Sequence, residues 1–170
     1  MYLPDFLKEE WLQKVTIRIP KLKEAKQIKD LIIAAYSPME PILGRKPRGM
    51  LETIDKVKER IHKNTIYVAI YKNEIIGTFT LEYNELYDLL EVQKVAVRPD
   101  MQNRGLGSFM IESAEHIARE LEERKLMVET YEDHKQLVDF YLQRGYKVFK
   151  KRMSKGNVIL LMEKKLWRED

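Results

Sequence analysis

Residues 97–120, VRPDMQNRGLGSFMIESAEHIARE, constrain the fold more than any other stretch. An apolar, strand-like run, LLEVQKVAV, ends at Pro99. The chain then passes Gln102, Asn103, Arg104, Gly105 and Gly107 into an amphipathic helix. The spacing predicts that helix over 105–122, with Leu106, Met110, Ala114, Ile117 and Leu121 along one side. A helix N-terminus leaves about four backbone N–H groups without intrahelical partners, and glycine lets main chain approach a ligand closely. With the helix dipole added, a strand entering such a turn forms a site for phosphate oxygens. Arg98 and Arg104 bring positive charge to it; Gln102 and Asn103 bring neutral donors. The alternative is that the glycines serve only the turning of the chain.

The remaining pattern supplies the sheet around this unit. VTIRIP alternates Val15, Ile17 and Ile19 as a strand. Residues 21–36 place Ala25, Ile28, Ile32 and Ala35 at helical spacing, and Leu51, Ile54, Val57 and Ile61 form a second helical stripe. Between them SPMEPILGRKPRG, rich in proline and glycine, reads as a loop. TIYVAIY and EIIGTFTLEY are strands split by KN, a hairpin. KLMVET is a strand, and HKQLVDFYLQR is a helix that Gly145 stops as a left-handed cap. YKVFKK and VILLMEK are strands around SKGN, a second hairpin. Hairpins mixed with strand–helix–strand units predict an α+β domain built on one mixed sheet. The chain of 170 residues suits one domain, 1–170, with its core over about 15–165.

Composition removes several classes of function. The absence of cysteine excludes disulfides, thiolate zinc sites and a cysteine nucleophile, and fits a reducing, cytoplasmic setting. No run approaches the roughly 18 apolar residues of a membrane span. The first segment, MYLPDFLKEEWLQK, is acidic and aromatic, unlike a leader peptide. With 31 basic and 27 acidic side chains, the net charge of +4 permits an anionic ligand without demanding nucleic acid. A nucleic-acid binder is the outside reading, resting on positives such as KVFKKRMSK. His62 and His116 lie on helices without sequence partners, and no spaced His, Asp and Glu set suggests a metal.

Two phosphate-binding motifs fail at the glycine turn. A P-loop needs Lys and Ser or Thr after its last glycine. The dinucleotide fingerprint needs a third small residue where Met110 stands, and neither fold accommodates the upstream hairpins.

A third pattern fits. Gln102-Asn103-Arg104-Gly105-Leu106-Gly107 resembles the Q/R-x-x-G-x-G/A signature of the GCN5-related N-acetyltransferases, the GNAT superfamily. VQKVAVRPD resembles that family's fourth strand. Phe140-Tyr141-Leu142-Gln143-Arg144-Gly145-Tyr146 is similar to its F-Y-x-x-x-G-[FY] helix. The resemblance implies a single GNAT-fold domain, with a mostly antiparallel sheet of about six or seven strands and about four helices. The fourth and fifth strands splay apart in that fold. The implied cofactor is acetyl-CoA, its pyrophosphate held mainly by main-chain groups of Gln102, Arg104, Gly105, Gly107 and Ser108. The pantetheine arm would lie along the backbone of Val95 and Val97.

The resemblance also implies chemistry. Tyr141 matches the tyrosine that protonates the departing thiolate in many members. A free thiol titrates near about 8.5 and a phenol near about 10, so the phenol can act as the acid. An attacking amine must first lose a proton, and Glu91 matches the strand-four glutamate that serves as base in part of the family. The alternative for Glu91 is an acidic, solvated edge with Glu82, Glu85 and Asp88, or a water chain in place of a single base. His134 stands where the family often has a CoA-contacting asparagine, so its role is open. Acceptor specificity would come from YSPMEPILGRKPRGM and RMSKGN, with Tyr36, Glu40 and Tyr83 as acceptor-pocket candidates. The implied reaction is acetyl transfer to a primary amine, in a small molecule, a polyamine or a peptide, by direct attack in a ternary complex. A non-catalytic CoA-binding or regulatory module is the alternative. Homodimerisation through Trp11 or Trp167 stands beside packing of each on the chain's own core.

Overall fold

The computed structural model describes residues 9–167. The expectation that the first segment is not a leader falls partly on residues 1–8, which lie outside that range, as do residues 168–170. The described strands are β1 (Thr16–Arg18), β2 (Ile66–Tyr71), β3 (Glu74–Asn84), β4 (Leu89–Val97), β5 (Lys125–Tyr131), β6 (Lys147–Ser154) and β7 (Asn157–Lys165). The helices are α1 (Ala25–Tyr36), a single turn α2 (Glu40–Leu43), α3 (Ile54–His62), α4 (Leu106–Glu120) and α5 (Lys135–Gln143). They form one α+β domain.

The seven strands make one sheet in the order β1-β2-β3-β4-β5-β7-β6. Every neighbouring pair is antiparallel except β4 and β5, which α4 joins as a parallel crossover. α4 and α5 cover one face: Leu106, Met110, Ile111, Ala114, Ala118 and Tyr141 pack on Phe79, Leu90, Val92, Val128 and Met162. α1 and α3 cover the other face over β2–β4, through Ile28, Ile32, Val57 and Ile61 on Ile66, Val68 and Ala96. Strand alternation explains the division, since successive side chains point to opposite faces.

Two departures from the expected elements have local causes. The Pro-rich loop contains α2, because Pro41 falls in a first turn, where its missing N–H costs nothing; Gly44, at φ 73°, then ends the helix. Leu121 is exposed rather than core-facing, because α4 ends at Glu120. In its place Glu115 is buried, accepting from the Tyr146 hydroxyl at 3.0 Å and Lys164 Nζ at 2.8 Å. Tyr146, the last residue of the Phe-Tyr…Gly-Tyr element, therefore ties α4 to the start of β6, and Lys164 ties it to β7.

Two irregularities shape the centre of the sheet. β4 pairs with β5 only at Leu90↔Leu126 and Glu91↔Met127. Three residues later β4 bulges: Thr78 pairs with Ala96 and Thr80 with Gln93, so Lys94 and Val95 together face Phe79. Lys94 sits at φ 49°, a left-handed conformation that costs an L-residue roughly 1–2 kcal/mol. The bulge reverses the alternation. Leu90 and Val92 lie on the α4 face, and Val95 and Val97 pack on the same cluster, whereas plain alternation would place Val95 with Glu91.

Candidate active site

α4 begins without any side-chain cap; Gly105 stands at its N-cap at φ 85°, and the first bond back is from Phe109 N–H to the Gly105 carbonyl. The amides ahead of it point out of the turn uncapped, as an anion cradle requires. The two glycines serve different ends. Gly105 needs its left-handed backbone, and a Cβ there would lie 3.2 Å from Leu12 Cδ1. Gly107 has no such constraint: a Cβ would meet nothing closer than Phe140 at 3.8 Å. The fold therefore tolerates a methyl group at Gly107, in ordinary contact with Phe140. The uncapped amides and the edge of β4 beyond Glu91, which pairs with no β5 residue there, fit a diphosphate carrying an extended amide arm.

Side chains around the turn are partly committed. Gln102 Nε2 donates to the Val97 carbonyl at 3.2 Å. The exposed Arg104 lays its guanidinium over the Trp11 ring, 4.5 Å from the centroid. Arg98 is held by Glu74 and Asp100. Ser108 Oγ accepts from Arg144, leaving its main chain for a ligand. Arg144 stacks on Phe140 at 3.5 Å and places its guanidinium against the start of α4; burial lowers its pKa, against the raising pull of Glu112 and Glu115. Sequence reasoning missed Arg144, since an arginine before a helix-ending glycine gives no local signal. His134 caps α5, its Nδ1 accepting from Leu137 N–H at 3.1 Å, as an asparagine would.

Beyond the turn lies the gap between β4 and β5, with Tyr141 on one face and Glu91 on the other. Tyr141 is buried edge-on to Phe140 and Tyr146. Burial raises the pKa of that phenol, so it keeps its proton. Glu91, 4% exposed, accepts from Asn84 Nδ2 at 3.1 Å and Gln93 Nε2 at 3.0 Å, both on Oε1. Burial and the nearby Glu129 raise its pKa, against the lowering pull of Asn84, Gln93 and Arg152. Glu91 is thus not a solvated edge carboxylate. Arg152 lies 2.7 Å from Glu129.

The two acceptor segments meet above Glu91's face. Arg45 Nε donates to Asn157 Oδ1 at 2.7 Å and Nη2 to the Ser154 carbonyl at 3.0 Å, stapling the loop after α2 to the β6–β7 hairpin. Its guanidinium lies over Tyr131. Tyr36 packs its ring directly on Gly49, where a Cβ would fall 2.3 Å from Tyr36 Cγ. Burial raises the pKa of the Tyr36 phenol, with smaller contributions from Tyr141, Tyr131 and Glu52. Glu40 opens α2 on the same loop, half-buried. Tyr83 is not brought to them. It pairs with Leu90 in register, on the face opposite Glu91, and turns its hydroxyl to Asp88 at 3.1 Å. Register explains this: the four-residue turn after Asn84 sets Glu82, not Tyr83, across from Glu91.

Of the two tryptophans, Trp11 packs edge-on to Tyr71, and the exposed Trp167 donates to the Glu123 carbonyl. Among the described residues no cluster of three or more His, Asp or Glu forms a metal site, and no helix is long and apolar enough to cross a membrane.

Residues 26–146 match the model of the acetyltransferase (GNAT) family. The chain belongs to that family. It is 26% identical over 108 residues to an uncharacterized N-acetyltransferase of Chlorobaculum tepidum, covering 64% of this chain and 61% of that relative. The chain thus matches less than two thirds of that curated relative's length. Its fold is shared by a GNAT acetyltransferase of Streptococcus agalactiae, with a TM-score of 0.75 and 18% identity over 93% of this chain and 98% of that one. It is shared too by the PaiA N-acetyltransferase of Thermoplasma acidophilum, solved with coenzyme A, with a TM-score of 0.72 and 16% identity over 89% and 98% of the two chains. The GNAT family explains why a parallel pair splays at the centre of an otherwise antiparallel sheet.

Proposed function

We propose that this chain transfers an acetyl group from acetyl-CoA to a primary amine by direct attack in a ternary complex. The observation that carries the reading is the break between β4 and β5, which runs from the uncapped start of α4 and has Glu91 on one face and Tyr141 on the other. Acetyl-CoA supplies a thioester whose carbonyl carbon is open to an amine.

The chain's own residues then divide the work. Main-chain groups of Gln102, Arg104, Gly105, Gly107 and Ser108 hold the diphosphate, with Arg104 and Arg144 adding positive charge. His134 fixes the start of α5 beside them. The free edge of β4 at Val95 and Val97 takes the amide arm as an added strand would, and the Val95 N–H serves oxygen charge that develops during transfer. Glu91, with Oε2 clear of its two amide partners, removes a proton from the arriving ammonium. Its raised pKa brings its basicity nearer to what that transfer needs. Tyr141 donates to the leaving sulfur. Tyr36 and Glu40 belong to the acceptor wall; Tyr83 has no part in it. With no cysteine in the chain, a thioester-linked acyl-enzyme is excluded. The proposed unit is a single domain that works in the cytoplasm without a metal.

The test is a screen of amines and peptides with acetyl-CoA that reads released thiol. Acceptor-dependent thiol release that falls in Tyr141→Phe is the expected result. Coenzyme binding with no release for any amine favours a CoA-binding module instead, and absence of coenzyme binding refutes the assignment.

A further inference from the structure

The αL lysine inside β4 is held from outside the strand. Of the described non-glycine residues with positive φ, Lys94 alone lies within a strand; Asn64, Lys72, Asn73, Asp88, Asn103, Glu122 and Lys155 all lie in turns. Lysine has no local device for favouring that conformation, unlike asparagine or aspartate. Its ammonium reaches Glu52 Oε2 at 3.3 Å. Arg60 Nη2 meets the same oxygen at 2.7 Å. The Glu52 side chain is fully buried, and Arg60's is 8% exposed. Glu52 follows directly on the acceptor loop, Arg60 is on α3, and Lys94 is on the bulge. Three elements therefore converge on one buried carboxylate oxygen. Charges taken out of water hold such a geometry only while all partners remain.

We infer that Lys94 is a positioning residue for acyl transfer, anchored by Glu52 and Arg60, and that it keeps open the coenzyme slot by fixing the β4 bulge. The inference rests on the acetyl-CoA reading above. The bulge turns Val95 onto the α4 face, away from Glu91, just past the last β4–β5 pair. Without the anchor, Lys94 relaxes toward extended backbone, Val95 swings to the other face, and the edge that would hold the amide arm changes register. The same triad couples the acceptor loop to the slot, because Glu52 lies just beyond that loop's end at Met50.

Calorimetric titration with coenzyme A tests this, on the parent and on Lys94→Met, Glu52→Gln, Lys94→Arg and Lys94→Gly. Lys94→Met and Glu52→Gln are expected to weaken coenzyme binding by on the order of tenfold. Lys94→Arg retains the anchor, and Lys94→Gly adopts positive φ unaided; both are expected to stay within about threefold of the parent. Thermal melts accompany each titration, and Glu52→Gln, which keeps the shape of the side chain, decides the matter where Lys94→Met fails to fold. Parental affinity in Glu52→Gln or in folded Lys94→Met overturns the inference while leaving the acyltransferase reading intact. A parent that binds no coenzyme overturns both.

Discussion

The two faces of the β4–β5 gap are built in different ways. The coenzyme side is made of local geometry: a strand end, two glycines and a helix start, contiguous in sequence between Val95 and Ser108. The acceptor side is assembled from distant pieces, with Arg45 bound to Asn157 and Tyr36 lying on Gly49. A site made by backbone is readable from sequence and, its Lys94 anchor apart, tolerant of side-chain change. A site made by long-range side-chain contacts is neither.

Substitutions should respect this division. The largest effect is expected at the gap itself. Tyr141→Phe should lower kcat by about 10²-fold, in line with loss of a general acid, while coenzyme A titrations give the parental Kd. Glu91→Gln should cost on the order of tenfold or more in kcat and change the pH profile. Only ionised Glu91 accepts a proton, and burial and Glu129 raise its pKa. The parent's rate should therefore fall as pH drops through a value above the ordinary carboxylate range, and the variant should lack that limb.

On the coenzyme side, Gly107→Ala separates folding from binding. Alanine in a helix is favoured over glycine by roughly 0.5–1 kcal/mol, and nothing in the chain crowds its methyl group. Its melting temperature should match or exceed the parent's while coenzyme affinity drops about tenfold. Equal affinity would mean that no ligand packs closely against Gly107. On the acceptor side, Gly49→Ala forces the Tyr36 ring away. It should raise acceptor KM several-fold and lower stability by about 1–3 kcal/mol, with the coenzyme Kd unchanged; a change in that Kd would erase the division between the two faces.

The same contrast sets what was legible. The fold followed from periodicity and hairpin signals, and the turn at 102–108 from its glycines. That Tyr83 lies on the face opposite Glu91 was not legible, because register depends on turn geometry, which alternation alone leaves open. The Lys94 bulge gave no warning, since a lysine within VQKVAV reads as ordinary strand. Arg144 and Glu52 act through partners 36 residues away and on another element, and His134 became intelligible only as a helix cap.

Amide chemical shifts of the 15N-labelled chain, followed as coenzyme A is added, test the central claim most directly. The account predicts the largest shifts at the start of α4, Gly105 to Phe109, and along β4 from Val92 to Val97, with the β6–β7 hairpin little changed. Shifts centred elsewhere, or an unchanged spectrum at saturating coenzyme, would contradict it.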